Sequence, residues 1–441
     1  MQDKPAHAEA LPSQVPFGEA LREWFKIGVL SFGGPAGQIA LMHRILVEER
    51  RWIDEARFLP ALNFCMLLPG PEATQLATYV GWRMHGVKGG IAAGLLFVLP
   101  GALVVLALSM LYAAFGRVPL VEAVFLGIKA AVLAIVVEAL LRVSRRALHG
   151  AIDIGIAVAA FVGIFLLAIP FPIIIAAAAL VGFMHGIGQT YAVPATAEPV
   201  SATLAQTSGT ILLWLGIWVL PLLAVAALFG HDHVLAQLAW FFSKLAVVTF
   251  GGAYAVLAYM AQAVVEGYGW LDAGEMLDGL GLAETTPGPL ILVTEFVGYL
   301  AAHRFSGGNP VLFGVLGALV TLWATFTPCF LWIFAFAPYI ERLNAEPRLR
   351  SALRAVTAAV VGVIFNLAVW FAVHVIFASV AQTEVGPLRL LVPNLASVNA
   401  LALALSLIAV ALLFIWRRGV VTTLALCGGL ALVWSVAASL L

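Results

Sequence analysis

The sequence predicts an all-α integral membrane protein with about thirteen transmembrane segments in two inverted-topology repeats. The first observation behind this fold class is the composition: 63% of the 441 residues are hydrophobic and 10% are charged, against roughly a quarter charged in ordinary globular domains. A soluble fold of this length cannot hide so much apolar surface, so the expected solvent is a lipid bilayer. The 23 basic and 23 acidic residues balance, which gives no support for nucleic-acid binding.

The second observation is an internal duplication. At a constant offset of 218 positions, the motifs Lys26, Phe32-Gly33-Gly34, Trp52 and Pro69-Gly70-Pro71 recur as Lys244, Phe250-Gly251-Gly252, Trp270 and Pro287-Gly288-Pro289. After Ser306 the offset becomes 228, so that Pro100 falls on Pro328. Such a duplication in an apolar chain is typical of transporters built from two structural repeats.

Apolar segments of about twenty residues mark the candidate spans. Thirteen are found, centred near residues 33, 70, 100, 130, 160, 178, 219, 250, 287, 323, 366, 405 and 430. They predict a first repeat over 21–185, a linker with an extra span over 186–235, a second repeat over 236–380 and C-terminal transmembrane helices over 381–441. Because seven spans separate the first segment from its copy, the second repeat is expected to run inverted.

The predicted orientation places residues 1–20, a polar tail, in the cytoplasm. This tail lacks the apolar run of a secretion signal. With thirteen spans, thirteen basic residues fall on the cytoplasmic side and seven on the other, in agreement with the positive-inside rule. The charged stretch 44–58, expected as an interfacial amphipathic segment anchored by Trp52, is an exception because it falls on the opposite side.

The third observation is a set of Gly-Pro breaks in the middle of apolar segments. Phe32-Gly33-Gly34-Pro35 divides a predicted span over 21–46, and Pro69-Gly70-Pro71 divides one over 58–84. Glycine and proline favour a helix break, which lipid tolerates only inside protein or beside a polar cavity. These segments are interpreted as broken spans or re-entrant hairpins.

The breaks predict an oxyanion cradle near the midplane. A half-helix that begins at such a proline presents free N–H groups and about half a positive charge, and so binds anions without a basic side chain. The alternative is four packing kinks, since Gly and Pro are common in membrane helices. The backbone positions predicted to bind substrate are Gly33, Gly34, Pro35, Gly70, Pro71, Gly251, Gly252, Gly288 and Pro289.

Polar side chains near the breaks complete the predicted substrate site: Lys26, Lys244, Glu72, Thr74, Gln75, Thr285 and Thr286. The two lysines are expected either to face the cavity or to snorkel to an interface. Glu72 is a site residue or a helix cap, and the neutral side chains hydrogen-bond an oxyanion or bridge helices. The coupling or gating candidates are Glu284, Glu295, Lys129, Glu138 and Arg83. Lys129 is expected to pair with Glu138 or Glu122.

Other function classes lack their motifs. The three cysteines lie in apolar stretches without a CxxC pattern, and no HExxH, P-loop or GxSxG motif is present. His231-Asp232-His233 is interpreted as a solvated loop rather than a metal site. No metal, no cofactor and no enzymatic activity are therefore predicted. The sequence also offers no nucleophile–base or metal-binding group of residues, which a membrane enzyme acting on lipid would need.

At these motifs the chain resembles the long-chain chromate ion transporter family, the ChrA-like proteins of bacteria. The segments that carry the resemblance lie between about residues 21 and 377: Ser31-Phe32-Gly33-Gly34-Pro35, Leu68-Pro69-Gly70-Pro71-Glu72-Ala73-Thr74-Gln75, Phe250-Gly251-Gly252-Ala253-Tyr254, Asp278-Gly279-Leu280 and Glu284-Thr285-Thr286-Pro287-Gly288-Pro289. The resemblance implies a bacterial inner-membrane protein that exports chromate, with sulfate as a competing look-alike.

Two transport hypotheses follow. The first is chromate efflux by alternating access, driven by the membrane potential or the proton motive force. The second is proton-coupled transport of sulfate or another oxyanion through Glu72, Glu284 or Glu295. The predicted partners are chromate, sulfate, the lipid bilayer and a second copy of the chain in a homodimer.

Overall fold

The computed structural model describes residues 15–186, 203–250, 253–340, 346–386 and 388–440. These residues form sixteen α-helices and one two-stranded antiparallel β-hairpin. The first seven helices are α1 (Phe17–Leu30), α2 (Gly34–His43), α3 (Glu55–Leu67), α4 (Glu72–Phe115), α5 (Pro119–Ala147), α6 (Ala151–Phe165) and α7 (Phe171–His185). A π-helical segment, Arg44–Glu49, extends α2.

The remaining elements follow the linker. They are α8 (Leu204–Phe229), α9 (Val234–Val248), α10 (Ala253–Gln262), α11 (Ala273–Thr285), α12 (Val293–Phe305), α13 (Pro310–Phe336), α14 (Pro347–Ile376), β1 (Val380–Val385), β2 (Leu388–Pro393), α15 (Ala400–Val410) and α16 (Val420–Ser439). Short π-helical segments extend α10 and α15, and a 3₁₀ turn, Leu290–Leu292, precedes α12.

The first repeat begins with two helical hairpins, α1–α2 and α3 with the first part of α4. Arg50, just after α2, donates to Glu19 and Glu23 of α1, so the chain returns to the level at which α1 began. Nε2 of His85 lies 2.8 Å from the carbonyl oxygen of Val15, which brings the end of the second hairpin to the same place. We call this end of the bundle the N-terminal face.

The second repeat contains the matching hairpins, α9–α10 and α11–α12. Phe241 of α9 packs against Tyr268 after α10, with ring centroids 5.4 Å apart. Arg304 at the end of α12 donates two hydrogen bonds, of 2.8 and 2.6 Å, to Glu275 at the start of α11. The start of α11 also contacts the last turns of α4, where Tyr112 donates to Asp278 at 2.8 Å. We call that end of the bundle the distal face.

The long helix α4 connects the two faces. It is kinked at His85 and Gly86, whose φ angles are −136° and +62°. The part before the kink is the returning arm of the second hairpin. The part after it extends for about 40 Å, at 1.5 Å per residue, to the distal face. One helix therefore contains both a half-length arm and a full span.

Six helices are long and apolar enough to cross a bilayer: α4, α5, α8, α13 with its 3₁₀ extension, α14 and α16. Five shorter apolar helices accompany them within the described residues: α6, α7, α9, 256–267 and 400–415. The chain is thus a multi-spanning helical membrane protein. The predicted segments centred near 33, 70, 250 and 287 are pairs of half-length helices, and the total of thirteen spans stays a prediction.

The hairpins correct the predicted position of the charged stretch 44–58. With residues 21–46 as one predicted span, this stretch falls on the opposite side of the membrane. Because α2 instead turns back beside α1, Arg50 lies against Glu19 and Glu23 at the N-terminal face. With the predicted cytoplasmic N-terminus, this stretch no longer conflicts with the positive-inside rule. Trp52 is half-buried, and the Arg50 guanidinium lies 5.9 Å from its ring centre.

The β-hairpin is an element that the sequence analysis did not predict, since it assigned 381–441 to transmembrane helices. β1 and β2 pair in register from Val380–Pro393 to Val385–Leu388. The N–H of Arg389 donates to the carbonyl of Leu166, at 2.8 Å, in the turn between α6 and α7. The hairpin is thereby attached to the first repeat as well as to the second.

Candidate functional site

The helix breaks of the two repeats meet through two backbone hydrogen bonds. The N–H of Gly70 donates to the carbonyl of Thr249 at 2.9 Å, and the N–H of Gly288 donates to the carbonyl of Ser31 at 2.8 Å. Each bond joins the Pro-Gly-Pro turn of one repeat to the residue before Phe-Gly-Gly in the other. The four residues are pairwise equivalent at the offset of 218, so the contacts are reciprocal.

The glycines at these turns adopt backbone angles that other residues rarely adopt. Gly33 and Gly34 have φ of 84° and 71°, and Gly70 and Gly288 have φ of 120° and 91°. Close approach adds a second constraint, because a Cβ on Gly101 of α4 would lie 2.2 Å from the carbonyl oxygen of Pro287. The turns therefore require glycine for both conformation and space. Gly251 and Gly252 lie outside the described residues.

Half-helices begin immediately after the turns. Pro35 occupies the first turn of α2, α4 begins at Glu72 directly after Pro71, and the turn that leads into α12 begins directly after Pro289. Glu72 is half-buried in the first turn of its helix, where a carboxylate also interacts favourably with the helix dipole.

Polar side chains surround the meeting point. Nε2 of Gln38 donates to the carbonyl of Gly288 at 2.6 Å, and Nε2 of Gln75 donates to the carbonyl of Pro69 at 2.7 Å. Both amides are buried, and their Oε1 atoms have no hydrogen-bond partner within the described part of the chain. The same is true of the buried hydroxyl oxygens of Thr74 and Thr294. Unsatisfied polar atoms are unusual in a folded interior and need an explanation.

The two threonines before the second Pro-Gly-Pro turn are less available to donate hydrogen bonds to an anion. The hydroxyl of Thr285 donates to the carbonyl of Leu282 at 2.8 Å, and that of Thr286 donates to the carbonyl of Ala283 at 3.3 Å. Their hydroxyl protons are therefore used within α11. Their oxygens can still accept a hydrogen bond, but an oxyanion needs donors.

Glu284 lies beside the first-repeat break. The hydroxyl of Tyr254 donates to its Oε1 at 2.8 Å, and a Cβ on Gly34 would lie 3.9 Å from the same hydroxyl. Arg142 and Glu138 of α5 pair with each other and interact electrostatically with Glu284. A line of polar groups thus extends from the Phe-Gly-Gly turn along α5.

Glu295 is a second buried carboxylate of the second repeat. It is 1% exposed, in the first turn of α12, and its Oε2 has no hydrogen-bond partner among the described residues. A buried carboxylate that is incompletely paired carries a large desolvation cost. Its first-repeat counterpart is Ala77, so this group belongs to one repeat alone.

The two matched lysines are not among the groups that surround the meeting point. The side chain of Lys26 is 47% exposed and lies 3.7 Å from Glu23. Lys244 is exposed and lies 5.9 Å from the ring centre of Tyr259. Both lie more than one helical turn from the breaks, and their exposure is compatible with snorkelling.

Lys129 and Glu138 do not form the predicted pair. Nζ of Lys129 lies 3.3 Å from Oδ2 of Asp278, on the second-repeat helix α11, whereas Glu138 is paired with Arg142 one turn away. The sequence could not indicate this, because Lys129 and Asp278 are distant in the chain and Asp278 was noted only within a motif. Arg83, another candidate, is exposed two residues before the kink of α4.

Four residues were missed as individual site candidates: Gln38, Tyr254, Asp278 and Arg142. Tyr254 and Asp278 stand within motifs that carry the family resemblance, and that was their only signal. Gln38 is four residues after Gly34, a polar side chain on an otherwise apolar helix, and this spacing could have indicated it. Arg142 was counted only for orientation.

The fold and this meeting point define a multi-spanning membrane transport protein, since interrupted helices meet inside a bundle of apolar spans. The chain belongs to the chromate transporter family, whose model matches residues 18–183 and 236–433. This family consists of transporters rather than enzymes.

Curated relatives agree with the family. The chromate transport protein of Pseudomonas aeruginosa is 34% identical over 366 residues, covering 81% of this chain and 82% of that protein. The probable chromate transport protein of Synechococcus elongatus is 31% identical over 349 residues, covering 78% and 82%. The chromate transport protein of Cupriavidus metallidurans is 31% identical over 354 residues, covering 77% and 79%. No solved structure matches the chain.

Proposed function

We propose that the protein exports chromate across the bacterial inner membrane by alternating access, with the anion bound where the four helix breaks meet. The observation that carries this proposal is the reciprocal pair of backbone bonds, Gly70 to Thr249 and Gly288 to Ser31. Free N–H groups of the half-helices that begin there provide the positive electrostatic potential. The hydroxyl of Thr74, which has no partner among the described residues, can donate to the anion, and so can the second N–H of each of the Gln38 and Gln75 amides, whose first N–H is used.

The two repeats have inverted topology in this proposal. Its support is that the first pair of hairpins opens at the N-terminal face and the second pair opens at the distal face, as the Arg50–Glu23 and Arg304–Glu275 contacts indicate. Inverted repeats that share a central site are a common basis for alternating access. The N-terminal face is cytoplasmic, because the basic stretch 44–57 now adds to that side.

Membrane potential alone is sufficient to drive export. Moving one charge across 100 mV is worth about 2.3 kcal/mol, so that expelling a dianion gains about 4.6 kcal/mol. Since about 1.4 kcal/mol corresponds to a tenfold gradient, this sustains roughly three orders of magnitude. Arg83 and Lys88, both exposed beside the kink of α4, are the proposed recruiting charges at the N-terminal face. A homodimer is the proposed assembly.

The test is chromate uptake into everted membrane vesicles that contain the protein. An imposed inside-positive potential should drive labelled chromate into the lumen, and the control vesicles lack the protein. Sulfate added outside should compete if the site selects tetrahedral dianions by shape and charge. Equal accumulation with and without the protein would refute the proposed export.

The second candidate is proton-coupled transport of sulfate or another oxyanion. The observation that favours it is the burial of Glu284 and Glu295 near the meeting point, with Oε2 of Glu295 lacking a partner in the described ranges. Intramembrane carboxylates are common in proton pathways. Changing Glu72, Glu284 and Glu295 to glutamine one at a time should remove the pH dependence of sulfate transport in at least one variant. Full pH dependence in all three would exclude this candidate.

A further inference from the structure

A second polar region lies at the distal face, away from the helix breaks. It is a cavity of about 740 Å³ between the ends of α4, α5, α11 and α16. Its lining includes three basic residues, Arg117, Lys129 and Arg304, and four acidic residues, Glu122, Asp272, Glu275 and Asp278. A space of this size with seven ionisable groups is unexpected at the end of an apolar bundle.

Asp278 is the buried member of this group. It is 4% exposed, and both of its partners reach the same oxygen. The hydroxyl of Tyr112 donates to Oδ2 at 2.8 Å, and Nζ of Lys129 lies 3.3 Å from Oδ2. The other oxygen, Oδ1, is buried and has no hydrogen-bond partner in the part of the chain described. A carboxylate held by one oxygen leaves the second free to accept a proton.

This network joins the two repeats and exists once. Tyr112 and Lys129 belong to α4 and α5 of the first repeat, whereas Asp278 belongs to α11 of the second. The equivalent positions are Ile340, Thr357 and Pro60, which cannot form an ion pair. The distal face therefore carries a charged connection between the repeats that its counterpart at the N-terminal face lacks.

The other charged groups around Asp278 are two cations, Arg117 and Arg304, and three carboxylates, Glu122, Asp272 and Glu275. Glu275 and Arg304 form a bidentate ion pair, and Asp272 accepts from the N–H of Glu275 at 2.8 Å. Arg117 and the exposed Glu122 line the outer part of the cavity. The side chains that α16 adds, among them Trp434 and Ser435, are uncharged. Lys129 is thus the cation in direct contact with Asp278.

We propose that Asp278 is a proton-binding site of the distal cavity, with Lys129 as its counter-ion. A proton from the cavity adds to Oδ1 and converts the carboxylate into a neutral carboxyl group. Protonation removes the repulsion between this carboxylate and the dianion that leaves the helix breaks. Lys129 keeps its own proton, loses its direct ion-pair partner and attracts the dianion more strongly. When the anion has left, the proton returns to the cavity and the ion pair forms again, so that the proton balance closes at this face.

The inference rests on the proposed function and adds a regulation of anion release by the pH at the distal face. Everted vesicles test it, because their lumen contacts that face. With the potential clamped by a potassium gradient and valinomycin, an acidic lumen should raise the initial rate of chromate entry. The limit for one proton is about tenfold per pH unit. Acid also protonates chromate itself, so each variant is compared with the wild type at the same lumenal pH.

The decisive variants are Asp278→Asn and Lys129→Gln. Asp278→Asn should transport chromate at a rate that no longer responds to lumenal pH beyond the effect on chromate itself. Lys129→Gln keeps the carboxylate without its counter-ion, so the pH of half-maximal stimulation should move upward by about one unit or more. A purely structural role of the pair would not move this pH. Glu122→Gln, a change in the same cavity, is the control that should keep the wild-type response.

The outcomes separate the two proposals. Wild-type vesicles that do not accumulate chromate contradict the proposed function. If wild-type vesicles accumulate chromate and the response to lumenal pH survives in Asp278→Asn, the proton site alone is overturned. The same holds if the wild type accumulates chromate but shows no pH response beyond that of chromate itself. If Asp278→Asn does not fold, the direction of the shift in Lys129→Gln decides: an unchanged or lowered pH of half-maximal stimulation rejects the assignment.

Discussion

The two repeats share their backbone turns and differ in almost all the charged groups around them. Gly70 and Gly288 make the same bond to equivalent carbonyls. The open ends of the first hairpins, by contrast, are closed differently: Glu23 and Arg50 form an ion pair in α1–α2, whereas the equivalent residues Phe241 and Tyr268 form an aromatic pair in α9–α10. The difference indicates that the turns serve a requirement common to both repeats, while the side chains distinguish the two faces.

The largest expected effect comes from breaking the ion pair of the first repeat. In Arg50→Met the 4%-exposed carboxylate of Glu23 loses its hydrogen-bonded partner and keeps the ion pair with Lys26 at 3.7 Å. Because Arg50 is partly exposed, the cost is about 3 kcal/mol, the low end of the range for breaking a buried pair. Thermal unfolding of the purified protein should show a lower melting temperature. The double variant Glu23→Phe with Arg50→Tyr copies the second repeat and should recover most of the loss. If the double variant is no more stable than Arg50→Met, the aromatic pair is not an equivalent closure.

The next effect tests what the repeats share. Gly288→Ala places a side chain at φ of 91° and 3.3 Å from Gly101 Cα. Gly70→Ala places one at φ of 120° and 2.9 Å from Gln75 Nε2. Strained backbone of this kind costs about 1–3 kcal/mol, so each variant should lose at least about fivefold in chromate transport. Gly429→Ala, in α16 with open space around it, is the control. Loss of transport in only one of the two turn variants would show that the turns are not functionally equivalent.

A smaller effect is expected from a carboxylate of the second repeat alone. Glu284→Met introduces the first-repeat residue, Met66, and removes the acceptor of Tyr254. An intramolecular hydrogen bond contributes about 0.5–1.5 kcal/mol net, and the unfolding transition should move accordingly. Glu284→Gln keeps an acceptor oxygen and should lose less. Equal stability of the two variants would mean that the Tyr254 contact contributes nothing.

The smallest effect concerns the matched lysines. Lys26→Gln and Lys244→Gln remove exposed charges, whose interactions are worth about 1 kcal/mol or less and are screened by salt. Chromate transport should fall by less than about fivefold in either variant, and the difference from the wild type should shrink at high ionic strength. A loss of a hundredfold, insensitive to salt, would instead place a lysine in direct contact with the anion.

Much of the site followed from the sequence, because glycine and proline determine backbone geometry locally. The duplication located the two Pro-Gly-Pro turns and the two Phe-Gly-Gly motifs, and each turn contacts the residue just before the Phe-Gly-Gly motif of the other repeat. The direction of the chain after each break did not follow. A break in an apolar run is equally compatible with a bent span and with a returning hairpin, and only the distant contact of Arg50 with Glu23 decides between them.

Pairings between side chains that are distant in the chain could not be predicted either, because they depend on how the helices pack. Lys129 had carboxylates nearby in the chain, but its partner Asp278 lies on a helix of the other repeat. The β-hairpin was missed although a signal existed. Residues 380–393 contain two short β-rich runs around Gly386-Pro387, a pattern typical of a hairpin, but the strongly apolar flanks favoured helices.

The contact between the repeats at the breaks is built from main-chain atoms. Mutation can change every side chain at the junction and leave these atoms in place, provided that the glycines remain. Fusion of two copies of an ancestral gene would therefore have supplied both halves of the junction at once, before any divergence. Later substitutions could then change carboxylates, tyrosines and lysines alone, so that each face acquired its own charged groups while the central main-chain contacts were kept.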